Sequence, residues 1–178
     1  MNIKSKRNIG DYVQVFDNVM TPYACQLILN EYEKSNEWIS KDNQGIIKIL
    51  NGDKKNKELI DCSVHRIVTE LMKKNKIYDI NFIEKITYTS GYEIVKTNTL
   101  FETNSKESKG IEKSLGIIYC SIQLNDDYEG GEYSLFNGDI TVRPKIGSVL
   151  IFPLTYMFPY KIMPVIKGSK YSIVTTLK

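Results

Sequence analysis

The sequence predicts an α+β fold whose β part is a sandwich or jelly roll, on three observations. Apolar residues at helical spacing are confined to the first part of the chain. After Asn75 the pattern changes to short apolar and β-branched runs parted by turn residues. No internal repeat and no linker interrupts the 178 residues, so one domain is expected, helical over about residues 1–80 and β-rich over about 82–178.

In chain order, Tyr12, Val13, Val15 and Phe16 read as a short strand. Thr21 followed by Pro22 reads as a helix N-cap with proline at the first helical position. Ala24, Cys25, Ile28, Leu29 and Tyr32 then recur at helical spacing, which predicts a helix of about four turns running towards Trp38. Ile46 to Leu50 is a short apolar run before the turn signal Asn51-Gly52-Asp53. A second helix is predicted over Lys57 to Lys74, with its stripe at Leu59, Ile60, Val64, Ile67, Val68, Leu71 and Met72. Strands are predicted at Phe82–Thr89, Gly116–Leu124, Glu132–Phe136, Ile140–Val142, Ser148–Phe152 and Tyr171–Leu177. Their separators are Asn125-Asp126-Asp127, Gly130-Gly131, Asn137-Gly138, Pro144 with Gly147, and Gly168. The polar stretch from Asn98 to Lys113 reads as a loop over one mouth of the sheets.

Composition removes several function classes. Apolar runs are far shorter than the ~20 residues of a membrane span, and the basic start MNIKSKRNIG has no apolar stretch behind it. The expectation is a soluble protein of the cytoplasm or of a virion. Cys25, Cys62 and Cys120 are odd in number and widely spaced, which argues against a disulfide framework or a zinc site. A net charge of +3 gives no specific nucleic-acid signal, and the lysine clusters at Lys4–Arg7 and Lys54–Lys57 read as solvated loops. The chain contains a single histidine, His65. Catalytic triads and histidine-rich metal sites need imidazole in a cleft, and His65 falls on the second predicted helix, where it reads as a helix-surface residue.

Four segments in order carry a resemblance to a known family. Leu124-Asn125-Asp126-Asp127-Tyr128-Glu129-Gly130-Gly131-Glu132 is one. Val142-Arg143-Pro144-Lys145-Ile146-Gly147 followed by Ser148-Val149-Leu150-Ile151-Phe152-Pro153 is the second. Pro164-Val165 with Gly168-Ser169-Lys170-Tyr171-Ser172-Ile173-Val174 is the third, and Tyr88 with Gly91 the fourth. Together they resemble the iron(II)/2-oxoglutarate-dependent oxygenases, in their prolyl 4-hydroxylase-like branch, and Asp11 to Glu33 is similar to that family's opening strand and helix. The resemblance implies a double-stranded β-helix, a jelly roll with the N-terminal helices packed on one sheet. It also implies a metal site of one HxD pair and a distal histidine, with a basic residue on the last strand for the far carboxylate of 2-oxoglutarate.

Matched position by position, this sequence departs from that pattern. Counting from Tyr88 and Gly91 puts Thr97 and Thr99 at the HxD positions, and counting back from Pro164-Val165 puts Tyr160 at the distal histidine. A threonine hydroxyl brings no charge to iron(II), and a phenol with a pKa near ~10 ionises at a cost at neutral pH. Glu93 and Glu102 flank the HxD region; a carboxylate-only site for a hard cation is conceivable there, and solvated carboxylates are the expectation. Lys170 matches the basic residue for 2-oxoglutarate. It either pairs with a dicarboxylate or other anion, or is a strand-end lysine exposed to solvent, and the second is the expectation. The Glu129–Glu132 turn reads as structural, its two glycines permitting positive φ at a tight connection. Tyr156, Met157, Phe158, Pro159 and Tyr160 either fill the former active-site pocket or form a binding surface; filling is the expectation.

The reading that follows is a catalytically degenerate oxygenase-fold protein, a binding, structural or assembly component, with a phage particle as one setting. It expects no catalytic residue, no metal ligand and no cofactor, and protein partners or self-association. The alternative is an active prolyl 4-hydroxylase-like hydroxylase that uses iron(II) and 2-oxoglutarate through unusual ligands.

Overall fold

Tyr12 is not the first residue of a strand. In this computed structural model, which describes residues 8–34, 39–41, 45–49, 54–75, 91–98 and 118–177, Ile9–Tyr12 forms a 3-10 turn. The Asn8 N–H donates to the Asp11 carboxylate at 2.9 Å and fixes that turn. Strand β1 then covers only Gln14–Phe16. Helix α1 is Pro22–Glu33; Thr21 Oγ1 accepts from the Ala24 N–H at 3.2 Å, a cap that contributes about 1 kcal/mol. It stops at Glu33 rather than running on to Trp38, which itself lies outside the described residues. Helix α2 is Lys54–Asn75, longer at its start than the apolar stripe indicated.

The remaining strands are β2 (Ile39–Lys41), β3 (Gly45–Ile49), β4 (Glu93–Asn98), β5 (Ile118–Gln123), β6 (Glu129–Gly130), β7 (Tyr133–Leu135), β8 (Ile140–Val142), β9 (Val149–Pro153), β10 (Tyr160–Ile162), β11 (Val165–Lys167) and β12 (Ser169–Leu177). β8 has its predicted bounds, and β5, β7, β9 and β12 differ from theirs by a few residues. β2, β4, β6, β10 and β11 have no counterpart among the predicted strands. The predicted strand Phe82–Thr89 and nearly all of the predicted loop Asn98–Lys113 lie outside the described residues.

A seven-stranded sheet runs in the order β1-β9-β5-β12-β4-β3-β2, every pair antiparallel. A three-stranded sheet, β10-β7-β8, and the ribbon β11-β6 complete the described β structure. One face of the large sheet holds the helices. Cys25, Ile28, Leu29 and Tyr32 of α1 and Ile60, Val64, Ile67 and Val68 of α2 pack there with Ile94, Ile122, Ile151 and Ile173. Polar ties fix the helices at the margin of this layer. Asn56 donates to Glu31 at 2.7 Å between the helices, and the Tyr171 hydroxyl donates to Glu33 at 2.6 Å.

The other face meets the small sheet through a second core of Tyr119, Tyr133, Leu135, Leu150 and Phe152. Strand alternation assigns the sides. On β12, Tyr171, Ile173 and Leu177 join the helix-side core, so Lys170, Ser172 and Val174 point between the two sheets. Helices on one sheet and a second sheet opposite give the α+β jelly-roll arrangement that the pattern predicted.

Candidate functional site

Lys170 begins the site because it contradicts its own expectation. It is 2% exposed, not solvated at a strand end. β12 lies between β4 and β5; Lys170 is paired on the β4 side, and the pairing with β5 begins at Ser172. Lys170 stands opposite Thr97, and Ser172 stands between Val95 and Gln123. The Lys170 ammonium donates to the Gly131 carbonyl at 2.7 Å and sits 3.8 Å from the centroid of the Tyr133 ring. The Tyr133 hydroxyl lies 2.8 Å from Ser121 Oγ.

A polar layer therefore crosses the space between the sheets: Lys170, Ser172, Thr97, Ser121, Gln123 and Tyr133, all buried. Tyr128 closes it from the side. At Gly131 (φ +71°) an added Cβ would lie 3.1 Å from the Tyr128 ring and 3.2 Å from the Lys170 stem, so the absent side chain lets both pack close to this backbone. Two buried polar atoms in this region have no hydrogen-bond partner within the described structure, Tyr128 Oη and Gln123 Oε1.

Burial and neighbours move the titrations. Desolvation pushes the Lys170 ammonium below the usual lysine range, opposed in part by the Tyr133 phenol. Burial alone would raise Tyr133, but the Lys170 ammonium and the Ser121 hydroxyl outweigh it and bring the phenol below its ordinary value. Tyr128 is raised, by burial first and then by Tyr133. The Tyr128 phenol therefore stays protonated at neutral pH.

The other predicted positions divide. Thr97 is buried on β4 beside Lys170. Tyr160 is on β10, its ring 5.3 Å from Tyr119 and 4.9 Å from Phe152 between centroids. The structure thus brings Thr97 to Lys170, while Tyr160 packs on Tyr119 and Phe152 and interacts with Tyr133, the ring on which the Lys170 ammonium sits. Burial, then Tyr133, pushes the Tyr160 phenol up to about 12. Thr99 and Glu102 lie outside the described residues. His65 is exposed on α2, and Glu93 lies on β4 opposite Val174. The segment Tyr156–Tyr160 splits: Phe158 and Tyr160 pack inward, while Tyr156 and Met157 are exposed.

A neutral threonine and a protonated phenol do not fit iron(II), and among the described residues no cluster of three His, Cys, Asp or Glu side chains is placed to hold a metal. Ser121, Gln123, Tyr128, Tyr133 and Arg143 were missed by the sequence reading. The available signal was Ser121 and Gln123, two polar residues with one residue between them in an otherwise apolar strand. Arg143 bonds the Tyr128 carbonyl, stands 4.9 Å from the Tyr128 ring centroid and 3.7 Å from the Glu132 carboxylate.

No family model matches the sequence, and no curated protein matches it. Solved structures do. A viral collagen prolyl hydroxylase from Paramecium bursaria Chlorella virus 1, in its 2-oxoglutarate complex, superposes with a TM-score of 0.65 at 13% identity, over 94% of this chain and 96% of that one. A prolyl 4-hydroxylase from Pseudomonas putida gives 0.66 at 9% identity, over 94% and 92%. A prolyl hydroxylase from Trichoplax adhaerens, bound to a hypoxia-inducible-factor peptide, gives 0.68 at 16% identity, over 93% and 83%. The chain has the fold of the prolyl 4-hydroxylase-like 2-oxoglutarate/iron(II) oxygenases.

Proposed function

We propose that this oxygenase-fold chain is a non-catalytic binding or assembly component. The observation that carries the reading is Tyr160. The position matched to the distal histidine holds a phenol packed against Tyr119 and Phe152, with its proton retained to about 12. A side chain used to fill the core in this way offers iron(II) neither charge nor an accessible lone pair. Lys170 supports the reading, since its amine is spent on Gly131 and Tyr133 of its own chain.

Under this reading the protein needs neither iron(II) nor 2-oxoglutarate, and its work is done through protein partners or self-association, in the cytoplasm or in a phage particle. The exposed Tyr156 and Met157 are the first residues to substitute in a search for such contacts. The deciding experiment is anaerobic iron(II) and 2-oxoglutarate binding to the purified protein, by metal analysis and calorimetry together. Absence of stoichiometric iron is the expected result. Stoichiometric iron that tightens 2-oxoglutarate would overturn the proposal and establish an active hydroxylase with unusual ligands.

A further inference from the structure

We propose that Arg143 latches a surface strap, Tyr128–Glu132, over Lys170, so that the buried amine meets solvent only when this latch releases. The contacts of Arg143 fall at the two ends of the strap. It donates to the Tyr128 carbonyl and covers the Tyr128 ring at 4.9 Å, and it pairs with Glu132 at 3.7 Å. Its side chain is 40% exposed, whereas the residue beneath the strap, Lys170, is 2% exposed. The middle of the strap supplies the carbonyl that Lys170 bonds, at Gly131.

The opposite margin of the strap is held differently. There the Gly131 N–H donates to the Pro164 carbonyl at 3.0 Å, and the Met163 N–H donates to the Glu132 carbonyl at 2.8 Å. Backbone bonds along the β11 side make a hinge, and one side chain on the β8 side makes the catch. Two consecutive residues at positive φ, Gly130 at 79° and Gly131 at 71°, lie within the strap, where glycine gives the backbone its widest freedom. The β6–β11 ladder is short and breaks register between Val165 and Lys167, and its side-chain tie, Lys167 to Glu129 at 3.5 Å, is exposed and weak. Tyr128 adds a bias towards opening, because its buried hydroxyl has no hydrogen-bond partner among the described residues and would gain water when the strap lifts.

The test is the rate at which Lys170 of the folded protein is modified by an amine-directed reagent, followed by peptide mass, with the exposed Lys73 as internal control. R143Q should speed Lys170 modification about tenfold or more, the population change expected when a hydrogen bond from a charged group is lost, and leave Lys73 unchanged. In the wild type, added salt should act in the same direction by screening Arg143 from Glu132, which keeps the test available if R143Q fails to fold. A Lys170 rate that stays at the wild-type value in R143Q overturns the latch. So does a wild-type rate that ignores salt and follows denaturant with the full slope of global unfolding, since the amine would then be reached only through the unfolded chain.

Discussion

The Lys170 ammonium lies 3.8 Å from the centre of the Tyr133 ring, in the layer between the two sheets. A cation held there gains from the ring's negative face and from the Gly131 carbonyl at 2.7 Å, but it has left water behind. Desolvation is the larger effect, as the lowered lysine titration records. Burial therefore disfavours the charged form of Lys170, the usual balance for a charge buried with incomplete compensation.

That balance predicts the effect of K170M. Methionine fills a similar volume, removes the buried charge and leaves only the Gly131 carbonyl to be satisfied. The variant should be at least as stable as the wild type, within about 1 kcal/mol by urea unfolding. A loss above ~2 kcal/mol would make the amine a structural tie of the fold.

Alkaline pH should expose the buried thiols as a loss of stability. Burial pushes Cys120 up to about 12 and, as the largest of its influences, Cys25 up to about 11, from an ordinary 9.0. Above pH 9 the unfolded chain releases these protons while the folded chain keeps them. The folded state then binds more protons, so stability falls as pH rises. Lys170 and Tyr133, both lowered, act in the opposite direction below about pH 10, because there the unfolded chain holds the extra protons. C120A isolates one thiol from this sum. Between pH 9 and the Cys120 titration its stability should decline less steeply than that of the wild type, by up to ~1.4 kcal/mol per pH unit. Parallel slopes would show that Cys120 is not held protonated by the fold.

Tyr160 should behave as packing and not as a ligand. Y160F keeps the ring contacts with Tyr119 and Phe152 and should change stability by less than about 0.5 kcal/mol. Y160A opens a cavity in the second core and should cost about 3 kcal/mol. Y160H restores an imidazole at the matched position, yet the neutral Thr97 still offers no charged or imidazole ligand, so metal analysis should still find no stoichiometric iron(II). A loss of several kcal/mol in Y160F would mean the hydroxyl, not the ring, is what the fold needs.

The legible parts of the fold were those whose side chains repeat a period. Cys25, Ile28, Leu29 and Tyr32 announce α1, and the glycines at 130 and 131 announce a turn whose positive φ values the structure contains. β4 was hidden because Glu93, Lys96, Thr97 and Asn98 look solvated in sequence, although the strand is paired on both sides. β10 and β11 were hidden by their length of three residues and by Pro159 and Pro164 before them. The site was legible only at Lys170, and there its burial was misjudged. A lysine at the start of a strand reads as exposed unless the partner strand beside it, and the Gly131 backbone packed against it, are known. Tyr133, Ser121 and Gln123 come to Lys170 through strand pairing and sheet packing, contacts between distant residues that no local spacing encodes.

The glycines of the turn allow one further separation of causes. Gly130 has φ +79°, and a Cβ there would collide with the Pro164 carbonyl and lie 3.0 Å from the Ile166 nitrogen. Gly138 has φ +109°, and a Cβ there would meet nothing within 4 Å. G138A should therefore cost only the backbone strain of a side chain at positive φ, about 1–2 kcal/mol. G130A carries that strain and also forces β6 away from β11, and its cost should exceed that of G138A by at least about 1 kcal/mol in urea unfolding. Both obstructing atoms belong to backbone, so no rotamer change can relieve them. Equal losses in the two variants would show that the β6–β11 ribbon yields freely, and the hinge assigned to its backbone bonds would then be too soft to direct the strap.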